Sequence, residues 1–375
     1  MHLGKASSMR PFIIVGFTLA FLAWGMAAPW AATSSDSWDT TLAKARQEGR
    51  VIVYGPGTAS LRQLMTKPFE DRYGIKVDYE GGRGSSQRER ITTQRRARAY
   101  LVDLWITGFG SMEGLDVPKV FAPLEPALML PEVRDPKHWL DGHLWHDPAD
   151  RRILAHTSKL SGGIAVNPEY IKRDQFASLK DLLRPEFKGK IISDDPRGAG
   201  VGQGFFSYLY LGKDLGFGPE FINRLINDQQ IMFNRNARLT ADSIVKGRNL
   251  IWPAPNSRAV ADLNEKGVPI EHRCVEGGQW ISIGGGGLGM LSNAPHPSAA
   301  VIYVNWLLGK EGQTLFSKGA TTASRRLDVA ATEIDPCFAP KPGEKYFWVE
   351  SREALNARKP GGALIKFLKS AYSRN

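Results

Sequence analysis

Cysteine is nearly absent from this chain: Cys274 and Cys337 are the two in 375 residues. Neither belongs to a Cys-x-x-Cys pair, which leaves a zinc or thiol-redox centre with little support. An oxidising compartment permits a disulfide between them, and two separate buried thiols fit the same sequence. Also missing are a Gly-x-Ser-x-Gly elbow and a Gly-x-x-x-x-Gly-Lys-Ser/Thr loop, the signatures of hydrolase nucleophiles and phosphate cradles. No internal repeat and no low-complexity tract occurs, so a repeat array is not indicated.

What is present begins with an amino-terminal targeting pattern. Lys5 and Arg10 give a positive start, and Pro11 to Ala27 is apolar apart from Thr18 and small residues. That run is short for a membrane span, and the Ala-rich stretch Ala27 to Ala32 offers cleavage points. A cleaved secretory signal over residues 1–32 is therefore expected, with no cysteine nearby for lipid attachment. The setting it predicts is a Gram-negative periplasm. Removing Lys5 and Arg10 leaves 47 basic against 38 acidic residues, a net of +9. Such a balance suits nucleic acid, an acidic surface or an anionic ligand. Secretion weakens the first, and the run Arg88, Arg90, Arg95, Arg96, Arg98 lacks interleaved aromatics and reads as a solvated helix face. Nucleic acid is not expected as a partner. Roughly 340 mature residues exceed one comfortable core, so two lobes are expected.

Trp38 to Glu48 reads as an amphipathic helix, Val51 to Tyr54 as a strand, and Thr58 as the cap of a helix through Leu61, Leu64, Met65 and Phe69. Gly74 ends that helix, Ile75 to Tyr79 alternates like a strand, and a loop over 81–86 leads into the basic helix. Asp103 to Thr107 is a third strand, ending in a 108–111 loop. Strand alternating with helix predicts a parallel α/β sheet. Gly163 to Asn167, Lys190 to Ser193 and Leu250 to Trp252 form a second set of strands, with helices over Phe205 to Leu211 and Glu220 to Ile226.

Residues 281–317 carry the most information. They read as an apolar strand interrupted by glycines, a turn, and a helix with Pro297 at its first position and Ala300, Val301, Val304, Leu307 and Leu308 on one face. Gly309 stops it, and Glu311 to Phe316 suits a short second helix. The order Asn293-Ala294-Pro295-His296-Pro297, then Trp306-Leu307-Leu308, then Lys310-Glu311-Gly312-Gln313 resembles the late segment of bacterial extracellular solute-binding proteins, family 1. The branch resembled includes ferric-iron, thiamine, polyamine and phosphonate binders of ABC importers.

That resemblance implies an α/β, two-lobed periplasmic binding protein fold of type II with two hinge crossings, near Ser158–Gly162 and Ser282–Gly287. It implies lobe 1 over 33–159, lobe 2 over 160–282, and a return to lobe 1 with C-terminal helices over 283–375. Glycines at crossings absorb φ and ψ changes, and the run Gly284 to Gly287 also suits close backbone packing. The implied function is capture of a small solute between the lobes and delivery to the transmembrane subunits of an ABC permease. No catalysis and no cofactor are implied, and a monomer is expected. A secreted hydrolase or metal-dependent enzyme is the alternative, and a chemoreceptor-docking sensor would use the same fold.

The enzyme alternative has two footholds. Ser243-Ile-Val-Lys246 fits Ser-x-x-Lys without its companion motifs, and a solvated helix explains it equally. His143-Leu-Trp-His146-Asp147, with His138 and His156 nearby, could ligate a divalent metal. Asp141-Gly142 and Asp147-Pro148 favour a hairpin there instead.

The ligand site is better sought in loops beyond the carboxyl ends of strands, where helix N-termini present unpaired N–H groups. The loops 55–58, 82–86, 108–111 and 194–203 supply Gly57, Thr58, Arg83, Ser85, Ser86, Gly110, Ser111, Arg197 and Gly198 as candidates. The last resembles the second-lobe loop that closes over ligand in this family. Trp252, Asn256 and Arg258 follow the late second-lobe strand, where ferric binders of the family place adjacent tyrosines. Here Trp252 to Arg258 contains none, which counts against ferric iron, although Tyr54, Tyr208 and Tyr210 remain elsewhere. Arg83, Arg197 and Arg258 offer planar forks for an organic anion. At least one of them is expected to be only a surface ion pair. Trp105, Trp252, Asp194 and Asp195 keep a cation such as thiamine or a polyamine as the alternative.

Overall fold

A computed structural model describes residues 37–57, 59–112, 115–198, 200–331, 334–335, 338–341 and 343–372. The expected signal, residues 1–32, and the expected cap Thr58 lie outside them. Helix α1 (Trp38–Glu48) starts at Ser37, whose Oγ accepts from the Thr40 N–H at 3.2 Å, and stops at Gly49 with φ +72°. Strand β1 (Arg50–Pro56), helix α2 (Ala59–Tyr73), strand β2 (Lys76–Gly82), helix α3 (Gly84–Arg96) and strand β3 (Leu104–Thr107) follow. Strand β1 lies between β2 and β3 and runs parallel to both.

Beyond β3 the sheet changes direction. Three short helices, α4 (Phe109–Met112), α5 (Val117–Val120) and α6 (Pro131–Arg134), precede the hairpin β4 (Leu144–Trp145) and β5 (Ile153–Ala155). Strand β13 (Gly287–Met290) enters between β3 and β5, antiparallel to each, giving the order β2-β1-β3-β13-β5-β4. The all-parallel expectation fails here because β13 arrives from another sheet rather than through a crossover helix.

The second set of strands forms a separate unit. Strand β6 (Thr157–Gly162) leads to β7 (Ile164–Val166), flanked antiparallel by β10 (Trp252–Pro253) and β11 (Glu271–Arg273). Strand β8 (Ile192–Asp194) pairs parallel with β9 (Met232–Asn234). Helices α7 (Val201–Leu211), α8 (Pro219–Asn227), α9 (Ala237–Val245) and α10 (Ser257–Asn264) alternate with them. One core gathers Val53, Phe69, Ile106, Leu288 and Trp306, and another gathers Ile164, Phe205, Tyr208, Ile222 and Ile251.

Two segments cross between these cores side by side. Strand β6 pairs antiparallel with β12 (Gln279–Ser282), Gly162 opposite Gln279 and Lys159 opposite Ser282. Strand β14 (Ala323–Ser324) pairs with the opposite edge of β6. The glycine-rich stretch is thus two strands of two sheets joined by a turn, not one interrupted strand. Gly284 has φ +61°, which suits glycine, whereas a methyl group on Gly286 would overlap Thr157 Oγ1.

Helix α11 (Pro297–Leu308) is buried at every residue from Ala299 to Leu308, not on one face alone. It is sandwiched by α1, β1 and helix α12 (Lys310–Ala320), so it has no solvent side. Its one polar interior residue, Asn305, donates to Ala127 O (2.7 Å) and Val301 O (2.9 Å) and accepts from the Met129 and Leu130 N–H groups. The last helices, α13 (Arg352–Arg358) and α14 (Ala363–Tyr372), place Ala357, Leu364, Leu368 and Ala371 in the second core.

The Asn293–Pro297 turn has a specific fastening. Asp103 is wholly buried at the start of β3. Its carboxylate accepts from the Ile52 N–H (2.7 Å), the His296 N–H (2.7 Å) and His296 Nδ1 (3.0 Å). Arg50 Nε donates to His296 Nε2 at 3.3 Å, which fixes the tautomer. Hydrogen bonds to a charged group contribute about 1.5–3 kcal/mol each, and Asp103→Ala leaves two half-buried backbone donors without that partner. A loss of about 3 kcal/mol in urea unfolding is expected. A loss under about 1 kcal/mol would show that the turn is held otherwise.

Candidate functional site

The candidate loops stand at the carboxyl ends of β1, β2, β3 and β8, as expected, yet the arrangement differs in detail. Ser85 and Ser86 are exposed in the first turn of α3 rather than in a loop. Arg83 is the N-cap residue of α3, is exposed, and has no counter-ion among the described residues. Its side chain does not cap the helix, so no side chain at Arg83 occupies the first N–H groups of α3. Gly84 permits a close approach: a methyl group there would overlap Thr107 Oγ1 and Ser111 Oγ. Gly110 and Ser111 lie in α4, next to that contact. Gly57 is exposed and packs against the Gly81–Gly82 backbone.

In the second unit, Arg197 is already engaged. Its Nε and Nη2 donate to the two oxygens of Asp195 at 2.8 Å each, Arg235 Nε donates to the same carboxylate at 2.9 Å, and the guanidinium lies 4.6 Å from the Tyr372 ring centroid. The Arg197 hydrogen bonds, foremost, hold the Asp195 carboxyl down at about 2. Arg197 is the expected surface ion pair. Gly198 is exposed with open space around it. Trp252 is fully buried beside Ile244 and Val260, so its ring walls no solute. Asn256 Oδ1 accepts from the Ala259 N–H (3.2 Å) and caps α10. Arg258 is the second residue of that helix in its backbone, and its side chain lies outside the described residues. Ala254, between them, is buried with φ +51°, a strained backbone of the sort that clusters at binding sites.

Three further charged groups stand near these loops, and no motif pointed to the last two. Asp194 ends β8 and, among the described residues, its carboxylate has no hydrogen-bond partner or counter-ion; burial pushes it up to about 6. Lys159 lies on the crossing strand β6 against Gly284 and likewise has no carboxylate partner among the described residues; burial lowers its pKa. A partly buried charge of the kind at Asp194 and Lys159 is a candidate contact for a ligand. Arg358, at the end of α13, brings Nη2 to 3.9 Å from a methyl group placed on Gly110.

The enzyme footholds resolve into local structure. Ser243 Oγ donates to Asn249 Oδ1 (2.6 Å) and Lys246 pairs with Asp242, so neither serves the other. His143 Nε2 bonds Val133 O (3.0 Å), the His146 ring packs tilted against Phe109, and Asp147 accepts from the Arg152 and Ile153 N–H groups at the foot of the β4–β5 hairpin. His156 is buried against Gln313 and Phe316, and burial lowers it to about 3. Among the described residues no three His, Cys, Asp or Glu side chains gather as a metal site. Tyr208 donates to Gly277 O at 2.7 Å and is buried, with its pKa raised by that burial. Arg95, expected on a solvated face, instead donates to Ser292 O (2.9 Å) and Lys119 O (2.7 Å) and ties α3 to the turn after β13 and to α5. Cys274 is disulfide-bonded, and Cys337 lies outside the described residues. No helix among the described residues is long and apolar enough to cross a membrane.

Known proteins resemble this chain in sequence and in fold. The family described as bacterial extracellular solute-binding protein matches residues 50–319. Over 332 residues the chain is 25% identical to an uncharacterized protein of Haemophilus influenzae, covering 83% of this chain and 90% of that one. The Trichodesmium protein IdiA (FutA), solved with iron and citrate, superposes with a TM-score of 0.64 at 16% identity, covering 86% of this chain and 99% of that one. AfuA of Actinobacillus pleuropneumoniae, solved with fructose-6-phosphate, gives a TM-score of 0.54 at 19% identity, over 87% and 97% of the two chains. The fold is that of two-lobed periplasmic binding proteins, and the chain belongs to the bacterial extracellular solute-binding protein family.

Proposed function

We propose that this protein captures a small organic anion between its two lobes and delivers it to an ABC permease in the periplasm, without turnover. The lobes divide near residues 159 and 282 in this reading, at the paired strands β6 and β12. The observation that carries the anion is Arg83, exposed and without a counter-ion among the described residues at the N-terminus of α3, which no N-cap side chain closes. A cationic fork beside free N–H groups is a ready anion site. Helix α7 is its counterpart in the second lobe: Gly200 is the N-cap and provides no side chain to close it. Asp194, beside that N-terminus, then accepts from a hydroxyl or ammonium group of the same solute. A phosphorylated sugar or a hydroxycarboxylate, the ligand types solved with AfuA and with the Trichodesmium protein, has both features.

A thermal-shift panel tests this. Citrate, inorganic phosphate and fructose 6-phosphate are set against Fe(III) alone, thiamine and spermidine. A ligand at a hundred times its Kd stabilises by about 2.7 kcal/mol, which raises Tm by roughly 5 °C for a chain of this size. At least one anion is expected to do so, and small-angle scattering with that anion should show compaction. Stabilisation by the cations alone would reverse the charge assignment.

A further inference from the structure

Strand β6 carries a charge that the fold leaves unanswered. Lys159 is half-buried on the first crossing, and among the described residues its side chain makes no hydrogen bond and no ion pair. Gly284 covers its stem: Cβ and Cδ lie 3.4 and 3.7 Å from a methyl group placed there. The Glu350 carboxylate, beyond β12, is directed at the Ile283 N–H (2.7 Å). His272 feels the ammonium charge, but its Nε2 bonds Gly162 O at 2.8 Å and offers the lysine nothing. A partly buried ammonium without a partner destabilises a fold, and here burial alone lowers its pKa.

Register fixes the side to which Lys159 turns. It stands opposite Ser282, and Ser161 stands opposite Trp280, so these four side chains share one face of the paired strands. At Trp280 that face lies against α7. The indole packs on Phe205 and Tyr208 with ring centroids 5.7 and 5.5 Å apart. Its Nε1 is 3.8 Å from a methyl group placed on Gly204, in the first turn of that helix. Beyond Ser282 the chain turns at residues 283–286, where Gly284 O lies 3.1 Å from a methyl group placed on Gly108. A methyl group on Gly285 would lie 3.3 Å from Pro56 Cγ. Pro56 ends β1 and Gly108 follows β3. One residue pair beyond Trp280, Lys159 thus stands between the first turn of α7 and the loops after β1 and β3.

We infer that the Lys159 ammonium is the contact at the base of the solute site, donating to the anionic group of the solute from the crossing strand itself. The inference rests on the anion reading above and deepens it. Contacts on the loops travel with their own lobe as the lobes approach. A contact on the crossing stays at the bottom of the cleft, and closure removes water from around the ion pair, which strengthens it. An interaction stronger in the closed form than in the open one is what draws the protein toward closure.

The test uses the full mature chain and calorimetry with citrate, inorganic phosphate and fructose 6-phosphate. For whichever anion the parent protein binds, Lys159→Met is expected to weaken binding roughly ten- to a hundredfold, and Lys159→Arg by less. Lys76→Met removes the same charge at the start of β2 and is expected to stay within about threefold. The unliganded Lys159→Met protein should melt at or above the parent, since it loses an unpaired charge. On the parent protein, the same anion should slow reductive methylation of Lys159 by formaldehyde and borohydride, read by mass spectrometry. Parent-like affinity of the folded Met variant, or equal methylation with and without the anion, overturns the assignment and leaves the anion reading intact. Weaker binding together with a melting temperature well below the parent's would make Lys159 structural and overturns it too. If the parent binds none of the three anions, the anion reading fails and this inference falls with it.

Discussion

Gly162→Ala is expected to be among the most damaging single substitutions in the chain, with a loss of about 3–5 kcal/mol in urea unfolding. Two penalties combine there. Gly162 has φ +113°, a conformation that a residue with a Cβ adopts only under strain. A methyl group would also overlap the Gly278 carbonyl oxygen and lie 2.9 Å from Trp280 Cζ3. The obstacle is backbone on the neighbouring crossing strand, so relief requires β6 and β12 to separate. Gly49→Ala isolates the first penalty: it has φ +72° with nothing within 4 Å, and about 1 kcal/mol is expected. Equal losses at the two positions would show that the crossing tolerates the overlap, and that its close packing is not what holds the lobes in register.

Asp194→Asn is expected to stabilise the unliganded protein at neutral pH and to weaken solute binding. The folded carboxyl titrates at about 6 against an ordinary 3.8, because burial disfavours its charged form. The folded state thus holds this proton more tightly than the unfolded chain does. The contribution of this carboxyl to stability is greatest below about pH 4 and falls as pH rises from there through 6, by about 2–3 kcal/mol at 1.36 kcal/mol per pKa unit. The amide of the variant does not titrate, so its advantage should grow across that window and level off above it. The neighbouring Asp195 has the opposite sign. Its folded value near 2 contributes stability above about pH 4 that is lost as pH falls through 2, and Asp195→Asn should destabilise at pH 7. If the advantage of Asp194→Asn is flat between about pH 4 and pH 7.5, burial of that carboxylate is not the cause. A gain in stability that leaves binding untouched would remove Asp194 from the site. A gain in one with a loss in the other is what a residue kept for its ligand predicts.

The alternation of strand and helix from Arg50 to Thr107, the helices on either side of Gly309 and the location of loops at strand ends follow from local pattern. Periodicity, caps and glycine stops act within a turn or two of chain, so they are visible in order along it. Sequence led to the expectation that at least one of Arg83, Arg197 and Arg258 is only an ion pair; that it is Arg197, held by Asp195 two residues away, is decided by the fold. Other features depend on residues brought together from far apart. The burial of Trp252 depends on which strands flank it, and an aromatic at the end of a strand reads the same whether it faces solvent or core. The antiparallel entry of β13 depends on where the chain returns from. The Asp103–His296 fastening spans 193 residues. Arg358 belongs to a C-terminal segment with no distinctive pattern, and only its bonds to β12 and α7 carry it to the junction of the lobes. The order of residues along the chain was enough for the family, the succession of elements and the loops where a solute is sought. Which charges in those loops are already neutralised by a neighbour emerged only from the packed fold, because a charge is available to a ligand only when no fold contact has satisfied it.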